Sequence, residues 1–532
     1  MSKVAQQELK WVLAWAVVIV LLASVPYIWG LWVTPPGYTF LGLTHNIDDG
    51  AVYLSWMRQA ADGRFFAGNL FTKDSHPARQ FNVLFLAMGW LAAITRLPLI
   101  VVFHLFRVVL GIALILCIWR FSKLFLDDAR ERLLLVPLVG LSAGIGWLIP
   151  GAKMPTGSVD VWQPEAITFL SIYLNPLFLA GLLLMVGAFY WLELARRDGS
   201  TKYAAYAGLH LLVLGNVHTY DALTVACVWT AYLIVLHLRF PICDFRFTVR
   251  TIGLSALAAV IAAPSLAYQY WVYAIDPIFR ARANTPIASP PIWSFFEGYG
   301  LVLAGAIAGA VMLLWKVESG KWKAKLLLVV WGIVGFAVPY LPIAQQRKLV
   351  MGLHIPLCIL CAYALSRLIG RLPVSVQRAV VMAVLTVAAG ANAQFLGSDM
   401  GLLACGETAP FYAPYMNGSE LRAMRYLRER ATDADSILAP PSFALFTPAL
   451  AGTRVCYGHW SETPHYARRR SYWTSLGLPW VGPEYWLGVV RASGATYYVS
   501  EDRSFDPRSE IKSHFAKRFE DGDVRIYRVR PD

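Results

Sequence analysis

Eleven apolar runs constrain what this chain can become: residues 11–29, 100–121, 133–149, 174–195, 203–217, 221–238, 249–271, 298–315, 324–342, 349–367 and 378–396. A helix crossing a bilayer needs roughly 20 apolar residues, and a single soluble core has no means of covering so many such runs. The chain therefore reads as a polytopic α-helical membrane protein with about eleven transmembrane helices. Composition agrees: 57% of the 532 residues are hydrophobic and 15% are charged, where soluble proteins carry about a quarter charged. The 20 Trp residues suit membrane interfaces. The net charge of +14 sits mostly in short basic clusters between apolar runs, so no nucleic-acid partner is expected.

Those clusters set a topology. Lys3 and Lys10 precede the first run, which reads as an uncleaved signal anchor with a cytoplasmic N-terminus. The basic connections are 120–133, 196–202, 239–250, 316–325 and 366–378. They alternate along the chain and all fall on the cytoplasmic side. Segment 81–95 is apolar but short and is followed by Arg96 and Pro98. A full span there would invert every later loop, so it reads as a re-entrant or interfacial helix. The outer face then receives 30–99, 150–173, 218–220, 272–297, 343–348 and everything after about 397. Residues 1–397 form a transmembrane domain with a large first outer loop, 30–99. Residues 398–532 form a small extracytoplasmic α/β domain, with helices expected at 419–431 (Ser-capped) and 483–493 and strands at "SILAP", "ATYYVS" and "VRIYRV". Cys358 and Cys361 read as small buried residues of one helix. Cys405 and Cys456 could pair outside the cytosol.

Unusual polar residues collect on that outer face. "HNIDDGAVY" places Asp48 and Asp49 at the start of an amphipathic surface helix, with Val52, Trp56 and Ala60 on one side. One acid accounts for a helix cap; the second is available as a general base or metal ligand. "TKDSHPARQF" adds His76. "VWQPEAITFLS" holds Glu165, readable as a plain helix start or as a site residue. In "GNVHTYDAL", His218, Tyr220 and Asp221 separate two apolar runs, and His218 and Asp221 meet at i, i+3 spacing if the turn is helical.

"AQQRKLVMGLHIP", with Gln346, Arg347, Lys348 and His354, is the most informative anomaly. Cations at an outer helix start oppose both the charge bias and the helix dipole, and a phosphate is a natural partner for them. Arg280, in "FRARANTP", adds to that group. "YGHWSETPHYARRR" offers His459 and Glu462, which serve either a site or the soluble domain. Nucleotide-binding and hydrolase motifs of the GxxxxGK[ST], HExxH and GxSxG types are absent from the sequence.

Acids beside a phosphate-binding group next to lipid suit sugar transfer from a polyprenyl-phosphate donor, an Asp taking the proton of the acceptor hydroxyl. The other reading is a transporter or flippase for a lipid-linked or anionic substrate, which calls for ionisable residues near mid-span. The spans are mostly clean, with His104 and Arg107 the chief exceptions.

An N-terminal span, a large outer loop with the Asp48–Asp49 pair, many further spans and an outer C-terminal domain resemble the GT-C superfamily of integral-membrane glycosyltransferases. The likeness is to the protein O-mannosyltransferase and aminoarabinose-transferase branch. "DSHPARQFNVLFLAMGWL" is similar to the His/Pro-then-apolar stretch those enzymes carry, and "PEAITFLS", "HTYD", "QQRKLVMGLHIP" and "GHWSET" look like signatures of bacterial members. The resemblance implies an enzyme of a bacterial inner membrane. It implies inverting transfer from a polyprenyl-phosphate sugar to a glycan, lipid or protein acceptor, with Asp48 or Asp49 as base. Some members need a divalent metal, Mg or Mn, and others none; Asp49 is the candidate ligand. The 150–173 loop offers Glu165 rather than an evident Asp.

Overall fold

The computed structural model describes residues 3–151, 156–239, 245–315, 322–408, 412–478 and 480–530. Parts of the basic 239–250 and 316–325 connections lie outside them. The chain divides into two compact units. A helical unit contains Met1–Val25, His104–Trp271 and Pro286–Ser398; a mixed unit contains Pro26–Phe103, Val272–Thr285 and Asp399–Asp532.

Among the described residues, nine helices are long and apolar enough to cross a membrane: Ala5–Trp32, Leu99–Ser122, Pro176–Asp198, Thr219–Leu238, Thr248–Ile275, Ile292–Trp315, Lys323–Tyr340, Gln346–Ile369 and Val374–Ala404. The protein is a multi-pass helical membrane protein. The other two apolar runs form shorter helices, Ala129–Leu141 and Thr201–Val217. The first stops early for a visible reason. Asp160 Oδ2 accepts the backbone N–H groups of Gly144 (3.0 Å) and Gly146 (3.1 Å), which pulls the chain out of the helix. Burial pushes the Asp160 carboxyl up to about 6, against those hydrogen bonds. Gly144 is required there, because a Cβ would fall 2.1 Å from the carbonyl oxygen of Glu297.

Side chains such as Val260 (70%) and Ile333 (67%) remain exposed, as lipid-facing positions do. Two buried charged clusters inside the unit are matched. Glu193 is bonded by Arg196 (2.5 Å) and by the Tyr232 hydroxyl (3.0 Å). Arg107 donates to Ser24 Oγ (2.8 Å), the Ile172 carbonyl and His104.

In the mixed unit, β1 (Tyr38–Phe40) pairs antiparallel with β2 (Tyr415–Asn417), joining the first loop to the C-terminal region. The remaining strands, β3 (Ser436–Leu438), β4 (Arg454–Val455), β5 (Tyr497–Ser500), β6 (Phe515–Asp521) and β7 (Val524–Val529), form a sheet in the order β4-β3-β5-β7-β6. Its first three strands are parallel and its last two are antiparallel. Helix Pro483–Ser493 falls where expected. Helix Gly418–Arg430 is capped by Asn417 rather than Ser419, through a reciprocal capping box with Glu420. Cys405 is exposed and Cys456 is buried; both are free, so the expected pairing is not made.

Segment 81–95 becomes helix Val83–Thr95, 13 residues long and too short to span. Helix Ile47–Ala61 departs from the surface position expected of it. It packs against Val83–Thr95 and Pro441–Leu450 and buries nearly every residue. Gly89 allows the approach, since a Cβ there would meet Ala60 Cβ and the Met57 carbonyl at 2.5 Å. A helical apolar stripe identifies a buried face without saying whether a second neighbour covers the other side.

Candidate functional site

The acid pair stands in the first turn of helix Ile47–Ala61, where the helix dipole favours negative charge. Neither acid is the N-cap. That position belongs to Asn46, in the left-handed region at φ 45°, without a side-chain cap. His45, one residue earlier, is fixed by Asp399 at 3.0 Å. The two carboxylates differ sharply: the Asp48 side chain is 6% exposed and the Asp49 side chain 46%. Burial holds the Asp48 carboxyl above the ordinary range; the nearby His459 works against this and Asp49 works with it.

His459 follows β4 and is fully buried. Its Nε2 lies 3.3 Å from Asp49 Oδ1 and 3.7 Å from Asp48 Oδ2. Burial opposes charge on this ring, but Asp49 and Asp48 outweigh it and hold its pKa above the ordinary imidazole value. Nearby, Glu462 takes an ion pair from Arg282 at 2.6 Å, and the Arg282 guanidinium lies 4.8 Å from the Trp56 ring centre. This centre therefore gathers Asp48, Asp49, His459, Glu462 and Arg282.

Two other candidates of the mixed unit are engaged elsewhere. Both ring nitrogens of His76 brace its own loop: Nδ1 is 3.0 Å from the Asp74 carbonyl and Nε2 accepts the Asn69 N–H at 2.9 Å. Arg280 donates to the carbonyls of Tyr273 and Ala274, at the end of the preceding helix.

The helical unit collects a second group. His218 Nδ1 and Asp221 Oδ2 are 3.1 Å apart, as the i, i+3 spacing predicts. Lys348 lies 5.3 Å from the Tyr220 ring centre, and Arg347 lies 5.4 Å from that of Trp162. The anomalous Arg347 has a protein partner, because Glu165 of the short Pro164–Ala166 turn approaches it at 3.7 Å. Gln346 spans Leu341 and Ser289 with its amide. His354 is a core histidine, enclosed by Thr168, Ser142 and the stacked Tyr299 ring. Sequence reasoning passed over Asp399, a lone acid at the end of the last apolar helix, and Asp160, which lies in the loop credited only with Glu165.

The comparisons fit this architecture. No family model matches the sequence. No curated protein matches it either. Among solved structures, the oligosaccharyltransferase AglB from Archaeoglobus fulgidus, in complex with an inhibitory peptide and a dolichol-phosphate, superposes with a TM-score of 0.53 at 12% identity, covering 92% of this chain and 69% of its own. A second structure of that archaeal enzyme, with Zn and sulfate, gives 0.53 at 13% identity, with 92% and 68% covered. ArnT from Cupriavidus metallidurans, bound to undecaprenyl phosphate, gives 0.52 at 14% identity, covering 97% of this chain and 98% of its own. The chain has the GT-C fold of integral-membrane glycosyltransferases.

A divalent metal does not find a ready place. Among the described residues no group of three or more His, Cys, Asp or Glu is arranged to hold one.

Proposed function

We propose that the protein is a glycosyltransferase that moves a sugar from a polyprenyl-phosphate donor to an acceptor on the outer face of a bacterial inner membrane. The observation that carries this reading is the acid pair, one buried and one half exposed, on a GT-C fold. Asp49 is the accessible carboxylate and is assigned as general base. The acceptor hydroxyl oxygen forms a bond to the anomeric carbon as its proton passes to Asp49. The bond from that carbon to the phosphate oxygen breaks, and polyprenyl phosphate leaves with the electron pair. Asp48, shielded from solvent, sets the electrostatics of its neighbour.

Arg347 and Lys348 are assigned to the donor phosphate, with Tyr220, Trp162 and Glu165 holding their side chains. The Arg fork suits two phosphate oxygens and the Lys ammonium a third. His218 and Asp221 form the adjoining polar turn. Residues 398–532 are assigned to the acceptor side.

The experiment is an assay of purified full-length protein with a panel of polyprenyl-phosphate sugars, following release of polyprenyl phosphate. Parent protein is expected to release it and Asp49→Asn is not. Equal release by both would remove the catalytic assignment.

A further inference from the structure

The acid centre raises a question that its distances alone leave open. An imidazole nitrogen 3.3 Å from Asp49 Oδ1 and 3.7 Å from Asp48 Oδ2 is a donor set in which either an ion or a proton would be at home. The hydrogen bonds of His459 decide between an ion and a proton. Its Nδ1 accepts the backbone N–H of Ser461 at 3.1 Å and that of Glu462 at 3.3 Å, and lies 3.2 Å from Ser461 Oγ. A ring nitrogen that accepts two N–H donors carries no hydrogen, so the ring proton resides on Nε2. Metal-binding imidazoles are built the opposite way, with the non-ligating nitrogen donating to a carbonyl or carboxylate and the ligating nitrogen bare. Turning the ring over would remove the acceptor that both backbone groups use, inside a fully buried environment.

Glu462 makes the same point independently. The acid closest in sequence to His459 is neutralised by Arg282, whose guanidinium is held over Trp56. Arg282 meets Glu462, and the His459 ring meets Asp48 and Asp49.

We propose that His459 is a positioning residue that stands where a divalent cation would, presenting Nε2–H to Asp48 and Asp49, so that this acid pair works without a metal. The inference rests on the assignment of Asp49 as the reacting carboxylate, but its test does not depend on turnover. Purified full-length protein in nanodiscs is titrated with Zn²⁺, Mn²⁺ and Mg²⁺ alone by calorimetry. In parallel, ¹⁵N-histidine NMR, with the His459→Gln variant to assign the signal, reads the ring state.

The expected result is a protonated Nε2 whose signal Zn²⁺ leaves unchanged, and identical titrations for parent and Asp49→Asn. His459→Gln, which keeps an N–H donor near the acids, is expected to retain more transfer than His459→Ala, and chelator is expected to leave parent turnover unaltered. A bare Nε2 that shifts with Zn²⁺, or one equivalent of metal lost in both Asp49→Asn and His459→Gln, overturns the proposal. If no donor sugar is turned over but the NMR and titrations come out as expected, the metal-free centre stands and the proposed function falls.

Discussion

The two units solve the same electrostatic problem in opposite ways. In the mixed unit the excess is acidic: Asp48, Asp49 and Glu462 are answered by a neutral-capable imidazole and one arginine. In the helical unit the cations stand against an acid and rings: Arg347 lies 3.7 Å from Glu165 and beside Trp162, and Lys348 lies beside Tyr220. Aromatic rings hold a cation in place without cancelling its charge. The first is closed on itself except at Asp49. One centre is thus the proposed proton acceptor and the other the proposed anion site.

Substitutions sharpen that contrast. The largest effect is expected from Asp49→Asn, which removes the accessible acceptor of a proton and should lower kcat about 10²–10⁴-fold in the polyprenyl-phosphate assay. Arg347→Ala should follow, with a rise in donor KM of roughly 10- to 100-fold from losing charge-assisted hydrogen bonds. A kcat loss without a KM change would break the division of labour between the units.

Next comes pH. Because the Asp48 carboxyl is held above its ordinary range, its charged form is present only above that raised value and is lost as pH falls through it. Where Asp48 loses its charge, Asp49 loses the neighbour that raises its basicity, so the rate profile should show an inflection above the usual carboxylate range. It should move higher in His459→Ala, which removes the group that favours the charged form. The same sign means that folding favours protonated Asp48. Asp48→Asn is accordingly expected to melt higher than parent at neutral pH, with the gap closing in acid, as read by thermal unfolding. The smallest effect is expected for Arg280→Ala, whose guanidinium serves a helix end, with donor KM unchanged.

Much of the membrane architecture was legible because a span is a local property: twenty residues announce themselves by composition. The short Val83–Thr95 helix was legible for the same reason. Helix Ile47–Ala61 was recognised as a helix but not as a buried one, since its second covering element, Pro441–Leu450, is remote in sequence. The acids and His459 were each noticed for their chemistry, yet nothing in the sequence indicates that residues near opposite ends of the chain meet. Asp160 went unread because its role is to stop a helix through backbone hydrogen bonds, which leave no periodic trace. His76 illustrates the converse: a conspicuous residue whose two nitrogens meet Asn69 and Asp74 of its own loop.

The three-residue pairing of β1 with β2 has a consequence for biosynthesis. Chains emerge from the ribosome at about 5–20 residues per second, and Asp48 and Asp49 are made long before β2 or His459 exist. The carboxylates must wait, without their imidazole, until the last apolar helix has been inserted and the ladder Tyr38–Asn417, Thr39–Met416, Phe40–Tyr415 can close. A nascent chain that has not yet reached His459, or one truncated before it, therefore carries Asp48 and Asp49 without their imidazole.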